Sequence, residues 1–106
     1  MIVTNTETIP GKKITKILGI VKGNTVRARF FGRDIIASLK GIVGGEISEY
    51  SSLMSEARDS AFKRMLAEAE KLGADAVINI RFTTSNVMQG MAEILVYGTA
   101  VKLEYD

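Results

Sequence analysis

The pattern of hydrophobic and polar positions changes period several times along this chain, and each change marks an element. Residues 14–21 carry Ile14, Lys16, Leu18 and Ile20 on one face and Thr15, Ile17, Gly19 and Val21 on the other. Both faces are largely apolar, as in a strand covered on both sides. Lys22-Gly23-Asn24-Thr25 then reads as a hairpin turn, since Gly and Asn both tolerate positive φ. Residues 26–30 return with Val26, Ala28 and Phe30 opposite Arg27 and Arg29, the alternation of a half-buried antiparallel strand. Before these, residues 2–4 suit a short edge strand, and Pro10-Gly11 marks a turn.

Helical spacing follows. Phe31, Ile35, Ile36, Leu39, Ile42 and Val43 predict a short helix that Gly44-Gly45 ends. Across 51–72, the residues Tyr50, Leu53, Met54, Ala57, Ala61, Met65, Ala69 and Leu72 predict one apolar stripe of a long helix. Its alanines allow close approach to a sheet or a second helix. Asp59 with Lys63 and Glu68 with Lys71 have the spacing of helix ion pairs. Lys71 suits the helix dipole, and Gly73 is the residue type that stops a helix in the left-handed region.

Two more strands complete the pattern. Ala76, Ile78, Ile80 and Phe82 alternate with Val77, Asn79, Arg81 and Thr83. After a loop over 84–90, a last strand over 91–104 sets Ala92, Ile94, Val96, Gly98 and Ala100 against Glu93, Leu95, Tyr97, Thr99 and Val101. Gly98 marks a bulge or a close backbone approach. The expected order is ββααββ in one domain spanning 1–106, an α+β two-layer sandwich. One long and one short helix cannot hide both faces of a four-stranded sheet. The second apolar faces of 14–21 and 91–103 therefore call for a partner subunit.

Composition narrows the chemistry more than the fold. With 106 residues the chain has the length of one domain, able to hold a core without disulfide or metal. It contains no cysteine and no histidine. That excludes disulfides, thiolate and imidazole metal sites, and every Ser-His or Cys-His catalytic pair. No signal peptide and no apolar run of membrane-spanning length is present, so a cytoplasmic protein is expected, with no membrane partner. Residues 1–45 hold eight basic and two acidic groups, and residues 46–106 hold six basic and ten acidic. The basic groups are scattered, which favours attraction between the two halves, within or between subunits, over a nucleic-acid face.

Gly44-Gly45-Glu46-Ile47 with Tyr50, Ala57-Arg58, Ala61, Met65 and Ala69, and then Leu72-Gly73-Ala74-Asp75-Ala76-Val77, resemble the YbjQ-like family of small prokaryotic proteins. Pro10-Gly11, Gly19 and Gly23, and Arg33-Asp34 also fit, so the resemblance runs over essentially the whole chain. It implies a dodecin-like β-α-β-β sandwich with an antiparallel sheet, assembled as a ring and expected to be a homopentamer. The family is labelled heavy-metal-binding on the strength of fold similarity to small metal-carrier domains, and it brings no established catalytic or binding residues to carry over.

The candidate chemistry is sparse. Soft metals would find only thioethers: Met1, Met54, Met65, Met88 and Met91. Met54 and Met65 belong to the helix stripe, and Met88 and Met91 flank a turn. Glu46 and Glu49 suit the helix dipole better than a hard-metal site. Glu46, Tyr50 and Arg58 are the ligand or interface candidates, because Tyr50 and Arg58 lie two helical turns apart on roughly one face, and Tyr and Arg favour subunit seams. Arg27-Ala28-Arg29-Phe30-Phe31-Gly32-Arg33 interleaves basic and aromatic residues as single-strand binders do, but both aromatics fall at core positions. Gly41 with Gly44-Gly45 lacks the Lys-Ser/Thr of a P-loop. No catalytic residue and no cofactor is indicated, and the metal and small-molecule ligands stay open. The expected function is a homo-oligomeric ligand-binding or storage domain, not an enzyme; the alternative is a structural scaffold or interaction module without a ligand.

Overall fold

The computed structural model describes residues 1–28, 48–88 and 91–105. Its elements are β1 (Ile2–Val3), β2 (Lys12–Ala28), α1 (Ser48–Lys71), β3 (Ala76–Met88) and β4 (Met91–Tyr105). They form one four-stranded sheet in the order β1-β3-β4-β2, with α1 packed on one face. The expected short helix over 31–43, its Gly44-Gly45 stop and the end of the strand at Phe30 lie outside the described residues.

The expected hairpin at 22–25 does not form. β2 runs unbroken for 17 residues, and 20–28 pair in steady antiparallel register with β4, from Ile20 opposite Thr99 to Ala28 opposite Met91. Gly23 is not a turn residue: it is buried under α1, where a Cβ would overlap the Ala61 carbonyl oxygen and crowd the Met65 amide. The expected loop over 84–90 is likewise strand through Met88. The sheet is mixed, not antiparallel, because β1 runs parallel to β3.

Bulges redistribute the faces that simple alternation predicts. β2 carries register shifts between Ile14 and Lys16 and between Ile17 and Gly19, each adding one residue. Ile14, Ile17 and Ile20, three apart, thus come to one face, while Leu18 and Val21 join the core beneath α1. β3 does the same at Asn79, whose φ of 54° is left-handed. Ala76 and Ile78 stay on the face away from the helix, and Ile80 and Phe82 turn toward it.

The main core joins Ala57, Ala61, Met65 and Ala69 of α1 to Val21, Val77, Ile80, Ile94, Val96 and Ala100. Small residues on α1 let the helix sit close to the sheet, and Gly98 matches them from below, since a Cβ there would press on Val77 and the Ile78 carbonyl. α1 stops where Gly73, at φ 74°, takes the left-handed turn. The ion pairs expected from spacing on α1 do not close among the described residues; Lys102 instead pairs with Asp75 past the helix end. Exposed pairs in water gain too little to hold two long side chains in place.

β1 and β2 are consecutive in the chain but occupy opposite edges of the sheet. The chain between them crosses the helix-free face, and Ile9 packs there on Ala76, Ile78, Val101, Ile14 and Leu103 as a second small core. Past that crossing the face is bare among the described residues. Ile17 and Ile20 are 70% and 78% exposed, and Val26 and Tyr97 are also exposed.

Candidate functional site

A polar cluster is built where α1 ends and β3 begins. Gly73 turns the chain, and Asp75 follows two residues later, at the mouth of β3. Its Oδ2 accepts the Leu103 amide proton at 2.9 Å, and its Oδ1 accepts from Lys102 Nζ at 3.3 Å. Lys102 Nζ also donates to the Gly73 carbonyl at 2.9 Å, which satisfies a helix-end acceptor with a cation. The Asp75 amide donates to the Val101 carbonyl at 2.9 Å. The Leu103 amide first, and Lys102 second, hold the Asp75 carboxyl below its ordinary value, because both favour the charged form.

Beside this cluster lies a cavity of about 280 Å³, lined by Ile2, Lys12, Asp75, Leu103 and Glu104. Asp75 already accepts on both oxygens. Lys12 and Glu104 line the cavity beside it, between apolar walls of Ile2 and Leu103. Among the described residues no three of Asp and Glu gather as a metal would require.

The residues singled out from sequence are not assembled at this place. Glu46 lies outside the described residues. Tyr50 occupies the third position of α1. Arg58 is exposed, next to buried Ala57, and makes no hydrogen bond or ion pair with the described residues. Met65 is fully buried and Met54 packs at the core margin, as the helix stripe implies. Met88 and Met91 are register partners at the ends of β3 and β4. Asp75 and Lys102 were missed as a pair. The available signals were an acidic residue two past a helix-stopping glycine and a lone lysine within the largely apolar run 94–103.

Residues 1–104 match the family described as "Putative heavy-metal-binding", the YbjQ-like proteins. The chain belongs to this family. Among its relatives, a UPF0145 protein of Archaeoglobus fulgidus is 59% identical over 103 residues, covering 97% of this chain and 95% of that protein. One of Psychromonas ingrahamii is 59% identical over 104 residues, covering 98% and 99%. One of Thermotoga maritima is 56% identical over 104 residues, covering 98% of each. YbjQ-like proteins thus occur in archaea and bacteria. A solved structure from Pediococcus pentosaceus, a protein of unknown function in the DUF74 family, shares the fold at a TM-score of 0.68 with 16% identity, over 98% of both chains. Among the described residues no helix is long and apolar enough to cross a membrane.

Proposed function

We propose that this protein is a cytoplasmic homo-oligomeric binding or storage domain without catalytic activity, with a dodecin-like subunit assembled as a ring and, by family resemblance, a pentamer. The observation that carries this reading is the bare half of the sheet. Ile17 and Ile20 are more than two-thirds exposed on the face that also presents Val26 and Tyr97. Exposed apolar side chains of this size on one face favour association. The absence of His and Cys from the sequence supports the non-catalytic part, since neither can serve as base or nucleophile. Glu46, Tyr50 and Arg58 are the proposed seam or ligand residues. The ligand is a small polar molecule or a weakly held metal, because the donor set is oxygen and thioether only.

Native mass spectrometry of the gently purified protein, with metal analysis of the same sample, tests this reading. A ring carrying a stoichiometric copurified molecule supports it. An assembled ring without one favours the scaffold alternative. An 11.5 kDa monomer at micromolar concentration overturns the oligomeric part.

A further inference from the structure

Among the described residues both edges of the sheet are open at the same end. β1 and the strand-like residues after it cover the outer edge of β3 only as far as Ile80: the Asn79 and Ile80 amides donate to Thr6 and Thr4. From 82 to 87 every residue of β3 is exposed, and none carries a charge. Phe82 and Val87 are half exposed there. On the far side of the sheet β2 has no neighbouring strand among the described residues. The bulges of β2 end at Gly19, so its outer edge is regular from 20 to 28.

An uncharged, regular, exposed edge is a template for pairing, and proteins normally blunt one with lysine, proline, a bulge or a cover. β3 has no lysine or proline over 82–87 and no cover among the described residues, and its register is regular from Arg81 to Asn86, the next shift lying between Asn86 and Met88. β2 holds Lys12, Lys13, Lys16, Lys22 and Arg27 and no acidic residue. Two β2 edges would therefore set like charges side by side, and two β3 edges would leave Ile20 and Val26 of β2 uncovered. A β3 edge against a β2 edge avoids both. Because β3 and β2 each run antiparallel to β4, they point the same way. Copies related by rotation about an axis along the strands would meet in parallel, with each sheet continuing into the next.

We propose that β3 residues 82–86 of one subunit pair in parallel with β2 residues 20–28 of a second copy of this chain. This contact rests on the homo-oligomeric reading and names its surfaces. It is heterologous, uses each edge once per subunit, and closes when the rotation completes a ring. In a monomer the two edges are separated by β4, about 9–10 Å apart at the spacing of sheet strands, which is beyond the reach of a disulfide.

Because the chain has no cysteine, engineered pairs report this contact without background. Thr83→Cys or Ser85→Cys is combined with Lys22→Cys, Asn24→Cys or Val26→Cys, all on the helix-free face, and oxidised. At least one pair is expected to give a covalent ladder ending at the subunit number that light scattering reports, whereas Ser85→Cys alone stays monomeric on a non-reducing gel. A covalent dimer from Ser85→Cys alone overturns the proposal in favour of a two-fold β3 contact. An assembled protein that yields no ladder from any pair also overturns it and leaves the oligomeric reading standing; a monomeric parent overturns both. In the cysteine-free chain Ser85→Lys is expected to raise the concentration needed for assembly at least tenfold, by like charge against Lys22, and Ser85→Asp is not. Equal assembly of the two, with unchanged circular dichroism, counts against the contact.

Discussion

Gly23 of β2 faces the Ala61 carbonyl of α1 with no room for a side chain between them. The strand passes close beneath the helix here, and Arg64 locks the crossing by donating to the Asn24 carbonyl at 2.6 Å. Gly23→Ala should therefore force the helix off the sheet. A loss of about 1–3 kcal/mol is expected from overpacking of this kind. Urea unfolding of the variant checks it, and an unchanged midpoint would mean that α1 lies farther from β2.

Gly73→Val should cost at least about 1 kcal/mol, because a β-branched residue is strained at the left-handed helix stop. The space around Gly73 is open, so the cost is conformational and not steric. Gly73→Asn should recover part of it, since Asn tolerates that region. Thermal unfolding of the two variants side by side makes the comparison.

Asp75 contributes a pH-dependent part of the stability. Its folded-state pKa lies below the ordinary 3.8, held down by the Leu103 amide and Lys102. Its contribution is thus fully present above about pH 4 and is lost as pH falls through the lowered folded value. Asp75→Asn should lower stability near neutral pH and narrow its gap to the parent below pH 3. Denaturant unfolding from pH 7 to pH 2 measures this; a gap that stays constant across the range would rule out the charge.

Thr25 is 3% exposed, and its hydroxyl has no hydrogen-bond partner among the described residues. Thr25→Val keeps the shape and removes the unpaired group. A gain of about 1 kcal/mol is expected, the lower end of the cost of a buried unsatisfied hydroxyl. A destabilised variant would reveal a partner for that oxygen.

Soft heavy metals should bind weakly or not at all. The chain offers neither thiolate nor imidazole, and Met65 is sealed in the core. A ring repeats every Glu and Met about its axis, so a site at micromolar affinity or weaker, about −8 kcal/mol or less favourable, is the most such a donor set supports. Calorimetry of metal-free protein with Zn²⁺, Cu⁺, Cd²⁺ and Hg²⁺ decides. A stoichiometric nanomolar site for any of them would refute the prediction.

Periodicity alone determined α1, its stop at Gly73, the first half of β3 and the position of β4, because those signals are local: a 3.6-residue stripe, a helix-stopping glycine, alternation within one strand. The apolar excess on 14–21 and 91–103 was likewise legible as surface awaiting a cover. Only the tertiary structure decided what Gly23 does. A glycine permits both a tight turn and a close helix contact, and the choice depends on α1, some forty residues away. The same holds for the faces of Ile17, Ile20, Ile80 and Phe82, since one bulge residue inverts every side chain beyond it and leaves alternation in the sequence unchanged. The Asp75–Lys102 pair was beyond reach for a related reason. Two residues 27 apart meet only because β4 returns past the end of α1, and no local pattern encodes that meeting.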